Sequence, residues 1–135
     1  MPSEELRMLV GTSIITFNSN TQFLIENFLA KAMPKNEDWW TLTDVEAGVV
    51  YERCHQFLVD LHRNDIADMF FDLVQRRNRI VHCFQFSHSD GSQALATLTR
   101  RTHQQFEIDK AYLLRFIKDN ESLALLLDDF RNQGS

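Results

Sequence analysis

A short basic segment, residues 75–82, brings together the residue types best suited to chemistry in this chain. It reads Gln-Arg-Arg-Asn-Arg-Ile-Val-His, so three arginines, an asparagine and a histidine fall within about two helical turns. Histidine exchanges a proton near neutral pH, because its unperturbed pKa is about 6.5. Arginine binds phosphoryl oxygens at two points through its planar guanidinium. The segment therefore predicts a site that combines proton transfer with phosphate binding, and its candidate residues are Arg77, Asn78 and His82.

The position of Arg77 in its predicted helix favours a function over chance. Basic residues near a helix C-terminus also complement the helix dipole, which is the simpler explanation. Arg77, however, lies within a core-facing apolar stripe of the predicted helix. The other members of that stripe recur at helical spacing and are Ile66, Phe70, Leu73, Ile80 and Phe84. A charge on such a stripe is costly unless it is paired or opens onto a cleft or an interface. We therefore expect Arg77 to be at least partly sheltered in a dimer, facing its symmetry mate or an acid across the interface.

Helical geometry places these candidates unequally. Asn78 and His82 are four residues apart, so their side chains are neighbours on one face. Arg77 and His82 point about 140° away from each other on an ideal helix. If two copies of this helix meet, a shared cleft is lined from both sides and the separation matters less.

The rest of the chain predicts four or five helices around this segment. The first begins after Ser3 and ends at Pro34, with a weak point at residues 18–20. The second begins at Thr43, where Thr43 and Glu46 form a capping-box pattern, and the third carries the basic segment. Residues 86–92 are typical of a turn. Residues 93–108 are ambiguous between an irregular loop and a short hairpin of residues 94–99 and 103–108, and such a hairpin would have to lie on the helices. The last helix follows Asp109.

Composition limits the classes of function. The 135 residues fit one domain, 1–135, and 44% hydrophobic residues are enough for a core. A net charge of -5 argues against a broad nucleic-acid surface, although it permits a small basic site. Cys54 and Cys83 predict reduced thiols rather than a disulfide framework. We see no metal motif, signal peptide or membrane span, so we expect no metal or cofactor, no membrane partner and a cytoplasmic location.

The segment Arg77-Asn78-Arg79-Ile80-Val81-His82 resembles the signature of the HEPN superfamily, in which an Arg, often followed by a polar residue, precedes a His by four to six residues. The resemblance implies an all-α bundle of four or five helices that dimerises with its motifs facing each other. For active members it implies metal-independent RNA cleavage. Carried over to this chain, Arg77 and His82 are the catalytic candidates and Asn78 supports them, while Arg76 and Arg79 hold flanking phosphates. Arg100 and Arg101 are weaker candidates for phosphate binding, because a solvated bend explains them as well.

One position departs from a toxin subgroup of that family. The subgroup has a Tyr two residues after the His, which a partner nucleotidyltransferase modifies, and here that residue is Phe84. The resemblance predicts a homodimeric ribonuclease used as a toxin or in phage defence, with an antitoxin as a candidate partner. Two alternatives stay open: a catalytically silent module that binds RNA, a nucleotide or a partner protein, and a structural dimer in which Arg77 forms an interface ion pair.

Overall fold

The two longest helices of the fold, α1 (Glu4–Ala32) and α5 (Lys110–Asn132), run parallel to each other. The structure is a computed structural model that describes residues 1–99 and 101–133. The parallel direction follows from contacts at both ends: Lys110 pairs with Glu5 at 2.7 Å, and Lys31 donates to the backbone oxygen of Gln133 at 2.8 Å. Between them in sequence lie α2 (Trp39–Thr43), α3 (Ala47–Asp60), α4 (Asn64–Val81), and the strands β1 (Phe84–Ser87), β2 (Gln93–Leu98) and β3 (Gln105–Glu107). The fold is thus predominantly helical, with five helices in the described residues as expected, but a small three-stranded sheet means that it is not purely all-α.

The first helix begins where the sequence predicts. The Ser3 hydroxyl accepts a hydrogen bond from the Leu6 backbone N–H at 3.1 Å, and Glu4 and Glu5 occupy the first turn. The predicted weak point at residues 18–20 does not interrupt the helix. Instead Asn20 is buried, and its Nδ2 donates to both the backbone oxygen of Asn120 at 2.8 Å and its Oδ1 at 3.0 Å. A polar residue that seemed to weaken α1 therefore joins it to α5.

The predicted start of the second helix at Thr43 is wrong. Thr43 ends α2, and the capping box belongs to Asp38 and Thr41, which exchange hydrogen bonds of 2.8 and 2.9 Å. The longer helix, α3, starts at Ala47, and Glu46 caps it without a side-chain hydrogen bond. The pattern of Thr43 and Glu46 alone could not show that Asp38 and Thr41, five residues earlier, form the capping box instead.

The basic segment lies on α4, which corresponds to the predicted third helix. The apolar stripe is confirmed for the residues within that helix, because Ile66, Phe70, Leu73 and Ile80 are all buried. Phe84 is not part of it: α4 ends at Val81, and Phe84 begins β1 with 40% of its surface exposed. Residues 84–87 leave the helix because they pair with β2, so the predicted turn at 86–92 is shorter than expected.

The predicted hairpin of residues 94–99 and 103–108 is confirmed as β2 and β3, which are antiparallel with Thr97 opposite Phe106. Strand β1 adds to the other side of β2, giving the order β1-β2-β3. The sheet lies on the helices as expected, since Leu95 packs against the core and the Phe106 ring contacts Tyr112 at 5.4 Å between centroids. Arg100 lies outside the described residues.

The core forms where α1, α4 and α5 meet. The Phe17 ring stacks on Phe70 at 5.8 Å and lies 6.2 Å from Phe116, so each of these three helices contributes one ring. No helix of the described residues is long and apolar enough to cross a membrane.

Candidate functional site

The end of α4 presents His82 and Asn78 on one face, as their spacing predicts. His82 is the C-terminal cap of the helix, and its backbone N–H donates to the Asn78 carbonyl at 3.1 Å. The His82 side chain is exposed, so it is open to a ligand. Both residues line a cleft of about 570 Å³ between α4, the end of β2 and the turn that follows it, together with Gln75, Arg79, Thr97, Leu98, Thr99, Arg101 and Thr102.

The charge of this cleft, which we call the His82 cleft, is positive in an acidic protein. Arg79 and Arg101 line it, and its lining residues within the described chain include no Asp or Glu. The Arg79 guanidinium lies over the Phe106 ring at 5.8 Å, which fixes the cation between α4 and β3. Thr97, Thr99 and Thr102 also line the cleft. Thr97 is buried, and the hydroxyls of Thr99 and Thr102 hydrogen bond each other. The arrangement can hold an anion next to an exposed imidazole.

Arg77 lies in a different cleft. It lines a smaller space of about 270 Å³ on the α1, α2 and α3 side of α4, where its guanidinium lies 5.9 Å from the Phe17 ring and Glu46 also lines the wall. Its Nε is buried and has no hydrogen-bond partner among the described residues. The sheltering expected for a charge on the apolar stripe is thus present within one protomer, but Arg77 and His82 do not line a common cleft.

One hydrogen bond joins the two clefts. Nη1 of Arg77 donates to Oδ1 of Asn78 at 3.2 Å, and Asn78 in turn lines the His82 cleft. This bond fixes which edge of the Asn78 amide faces Arg77, so the amide NH₂ is left for the His82 cleft. Arg77 can therefore act on the cleft through Asn78 without entering it.

Arg76, predicted to hold a flanking phosphate, has other partners. Its Nη1 contacts Asp119 at 2.7 Å and Asp72 at 3.0 Å, and its guanidinium packs over Phe116 at 5.5 Å, with only 14% of the side chain exposed. Burial lowers the pKa of Arg76, but its hydrogen bonds to Asp119 and Asp72 outweigh burial, so the pKa is raised. Arg76 thus fastens α4 to α5, and we assign it no phosphate.

The cysteine thiols have raised pKa values. Burial raises the pKa of Cys54 to about 12 and raises that of Cys83, which follows His82 directly. Both thiols are free and protonated near neutral pH, when they are poor nucleophiles. No group of three or more metal-ligating side chains occurs within residues 1–99 and 101–133.

Sequence reasoning missed how β2 and its turn complete the cleft. Arg101 was predicted as a weaker candidate beside a solvated bend, and it lines the cleft, while the three threonines were not predicted at all. The alternation of Thr97 in β2 and Thr99 just after it was the only signal. It could not be used without knowing that β2 ends beside α4.

No family model, curated protein or solved structure matches this chain.

Proposed function

We propose that this chain is a metal-independent endoribonuclease that forms a homodimer and cleaves RNA in the His82 cleft. The observation that carries the proposal is the exposed imidazole of His82 in a cleft whose described lining residues include two arginines and no carboxylate. RNA is an anion that supplies its own nucleophile, the 2′-hydroxyl, so cleavage requires no protein nucleophile. The resemblance of residues 77–82 to the HEPN signature points to the same reaction.

The reaction assigns each group a task. The 2′-oxygen attacks the adjacent phosphorus, the bond from phosphorus to the 5′-oxygen breaks, and the products carry a 2′,3′-cyclic phosphate and a 5′-hydroxyl. His82 takes the proton from the 2′-hydroxyl or gives one to the leaving 5′-oxygen, and water serves the other transfer. Arg79 and Arg101 bind the phosphoryl oxygens and stabilise the additional negative charge of the phosphorane.

Arg77 and Asn78 act at this site as positioning residues. Asn78 lines the cleft, where its amide N–H groups can orient the phosphate or the imidazole. Arg77 holds that amide through its 3.2 Å hydrogen bond. Because Arg77 is in the other cleft, its task in one protomer is to position Asn78 rather than to touch the substrate.

The experiment is cleavage of RNA by the purified chain in the presence of EDTA. We expect a single-stranded RNA to be cut into fragments that end in 2′,3′-cyclic phosphate, and the DNA of the same sequence to stay intact. Failure to cut any of a varied set of RNAs, with the protein folded, would contradict the proposal. Cleavage that depends on added metal would contradict it equally.

A second candidate is a catalytically silent module that binds RNA, a nucleotide or a partner protein. The placement of Arg77 and His82 in separate clefts favours it, because the two residues of the signature do not meet in one protomer. The EDTA assay separates the two: the silent module binds RNA in the same cleft and leaves it whole.

The biological setting that we propose is a toxin or phage-defence effector restrained by an antitoxin. Its support is the resemblance alone. Induced expression in a bacterial host should then arrest growth, and His82→Ala should relieve the arrest.

A further inference from the structure

The free edge of the sheet is formed by β1, and its backbone groups alternate between two directions. Strand β1 pairs only with β2, and within the described chain no other element pairs with its outer side. The His88 N–H donates inward to the Ser92 oxygen at 2.8 Å. Because hydrogen-bonded and non-bonded pairs alternate along an antiparallel ladder, Phe84 and Phe86 also bond inward. The N–H and C=O groups of Gln85 and Ser87 therefore point away from the sheet.

This edge lacks the devices that keep strand edges apart. Natural edges are protected by charged side chains, proline or bulges. Residues 83–89 contain no Asp, Glu, Lys, Arg or Pro, whereas β3 at the opposite edge has only three residues. The Glu107 carboxylate of β3 contacts Nε2 of His88 at 3.2 Å, so this acid is paired. The whole chain has a net charge of -5, so two copies repel each other. That repulsion is weakest where a neutral segment meets a neutral segment.

One face of β1 carries a row of rings that continues to its end. Phe84, Phe86 and His88 are on alternate positions, and the Phe86 and His88 rings meet edge to face at 4.9 Å. Phe84 is 40% exposed, and it lies opposite the small Ala96 of β2. Aromatic pairs directly across two strands stabilise sheets. The row can therefore extend across the free edge if the neighbouring strand carries rings at the same spacing.

We propose that the β1 edge binds the β1 edge of a second copy of this chain, antiparallel and in one register, with Phe86 opposite Phe86 of the partner. In that register the outward groups of Gln85 in one copy face those of Ser87 in the other, so all of them form hydrogen bonds. Phe84 then faces the partner's His88, and the aromatic row crosses the interface. The result is one six-stranded sheet with two-fold symmetry.

This dimer differs from the one with facing motifs that the resemblance implies. Antiparallel strands point their N-terminal ends in opposite directions, so the two His82 clefts lie at opposite ends of the joint sheet. Each cleft is complete within its own protomer. The inference shares only the homodimer with the proposed function, and a monomeric variant should still cleave RNA, so the failure of one is distinguishable from the failure of the other.

The test combines association with cross-linking of the full chain. Sedimentation equilibrium should show a dimer at concentrations on the order of 100 µM, because an interface made of one short strand from each copy is small and binds weakly. Gln85→Pro removes an outward N–H that β2 does not use, and Ser87→Lys places a charge on the edge; both should be monomers with unchanged helicity. Gln93→Lys is the matched control, because Gln93 lies opposite Ser87 but on the central strand. It should remain a dimer.

Cross-linking fixes the register. In a Cys83→Ser background, Phe86→Cys should form an intermolecular disulfide, because the non-bonded pair at the two-fold axis separates its Cα atoms by about 4.5 Å. Leu98→Cys, exposed on the same face of β2, should not form one. A wild-type monomer at these concentrations would overturn the proposal. So would a dimer that survives both Gln85→Pro and Ser87→Lys, or a Phe86→Cys protein that does not cross-link.

Discussion

At the scale of single residues, the five side chains predicted for the site divide into three groups. His82, Asn78 and Arg79 line one cleft, Arg77 reaches it through Asn78, and Arg76 is held by Asp72 and Asp119. Helical spacing could predict the neighbours Asn78 and His82 and the divergence of Arg77. It could not predict that Asp119 would engage Arg76, because Asp119 is far away in the sequence.

Arg101 provides the first prediction at this scale. If it binds a phosphate, Arg101→Ala should weaken RNA binding and reduce the slope of log K against log salt by about 0.7, the value for one phosphate on a single strand. The measurement is RNA affinity in the non-cleaving His82→Ala background at several salt concentrations. Arg131→Ala removes an exposed arginine that pairs with Asp128 at the end of α5, and should leave the slope unchanged.

The hydrogen bond from Arg77 to Asn78 provides the second prediction at the scale of single residues. Arg77→Lys keeps the charge but loses the guanidinium geometry, and Asn78→Ala removes the amide that Arg77 holds. If Arg77 acts through Asn78, the double variant should lose no more cleavage rate than Asn78→Ala alone, since coupled residues are not additive. Additive losses in the measured rates would instead mean that Arg77 acts on the substrate independently.

At the scale of elements, the ends of helices decide where the site residues lie. The caps at Ser3 and Asp109 were predictable because a side-chain oxygen three residues before a backbone N–H is a local signal. The end of α4 was not predictable, because the apolar stripe of α4 continues in the sequence to Phe84 while the chain leaves the helix there to pair with β2. The pairing energy of a sheet is not visible in a helical period.

The start of α4 carries a pH-dependent contact. Arg63, with 10% of its side chain exposed, hydrogen bonds Asp65 at 3.1 Å and Asp129 at 3.0 Å. The hydrogen bond from Arg63 lowers the pKa of Asp65 below its usual 3.8, so this contact stabilises the fold above that pH and is lost as the pH falls through the lowered pKa.

We therefore expect Asp65→Asn to lower the unfolding temperature at neutral pH, and the difference from wild type to disappear as the pH falls below the lowered pKa of Asp65. Thermal unfolding followed by circular dichroism across this range measures it. Asp68→Asn removes the same charge from the next turn of α4 and should show no such convergence. A deficit in Asp65→Asn that persists at low pH would show that the carboxylate is not the cause.

At the scale of the whole molecule, a buried amide pair holds the two longest helices together. Asn20 and Asn120 are 4% and 0% exposed, and Nδ2 of Asn120 also donates to the Phe116 carbonyl at 2.9 Å. Sequence patterns treat such residues as helix breakers, since an amide in a core is favourable only when a partner lies opposite it. That partner is 100 residues away and can be identified only in the fold.

Asn20→Ala should lower the free energy of unfolding by about 1–3 kcal/mol, because it leaves buried acceptors of Asn120 without their donor. Asn27→Ala is the matched control on the same helix. Asn27 is equally buried, but it donates only to the Phe23 carbonyl of its own helix, and its Oδ1 has no partner among the described residues. Urea denaturation of both variants should show the larger loss for Asn20→Ala, and the opposite order would refute this explanation.

The central claim is that His82 transfers a proton during RNA cleavage in the His82 cleft, so its substitution is the most direct test. His82→Ala should reduce the single-turnover rate of RNA cleavage in EDTA by about 10²–10⁴-fold, the usual contribution of general acid–base catalysis. Helicity and dimerisation should not change, because the side chain is exposed. His103→Ala, in the turn between β2 and β3, should cleave at the wild-type rate. A His82→Ala protein that cleaves normally would contradict the assignment of this cleft as the active site.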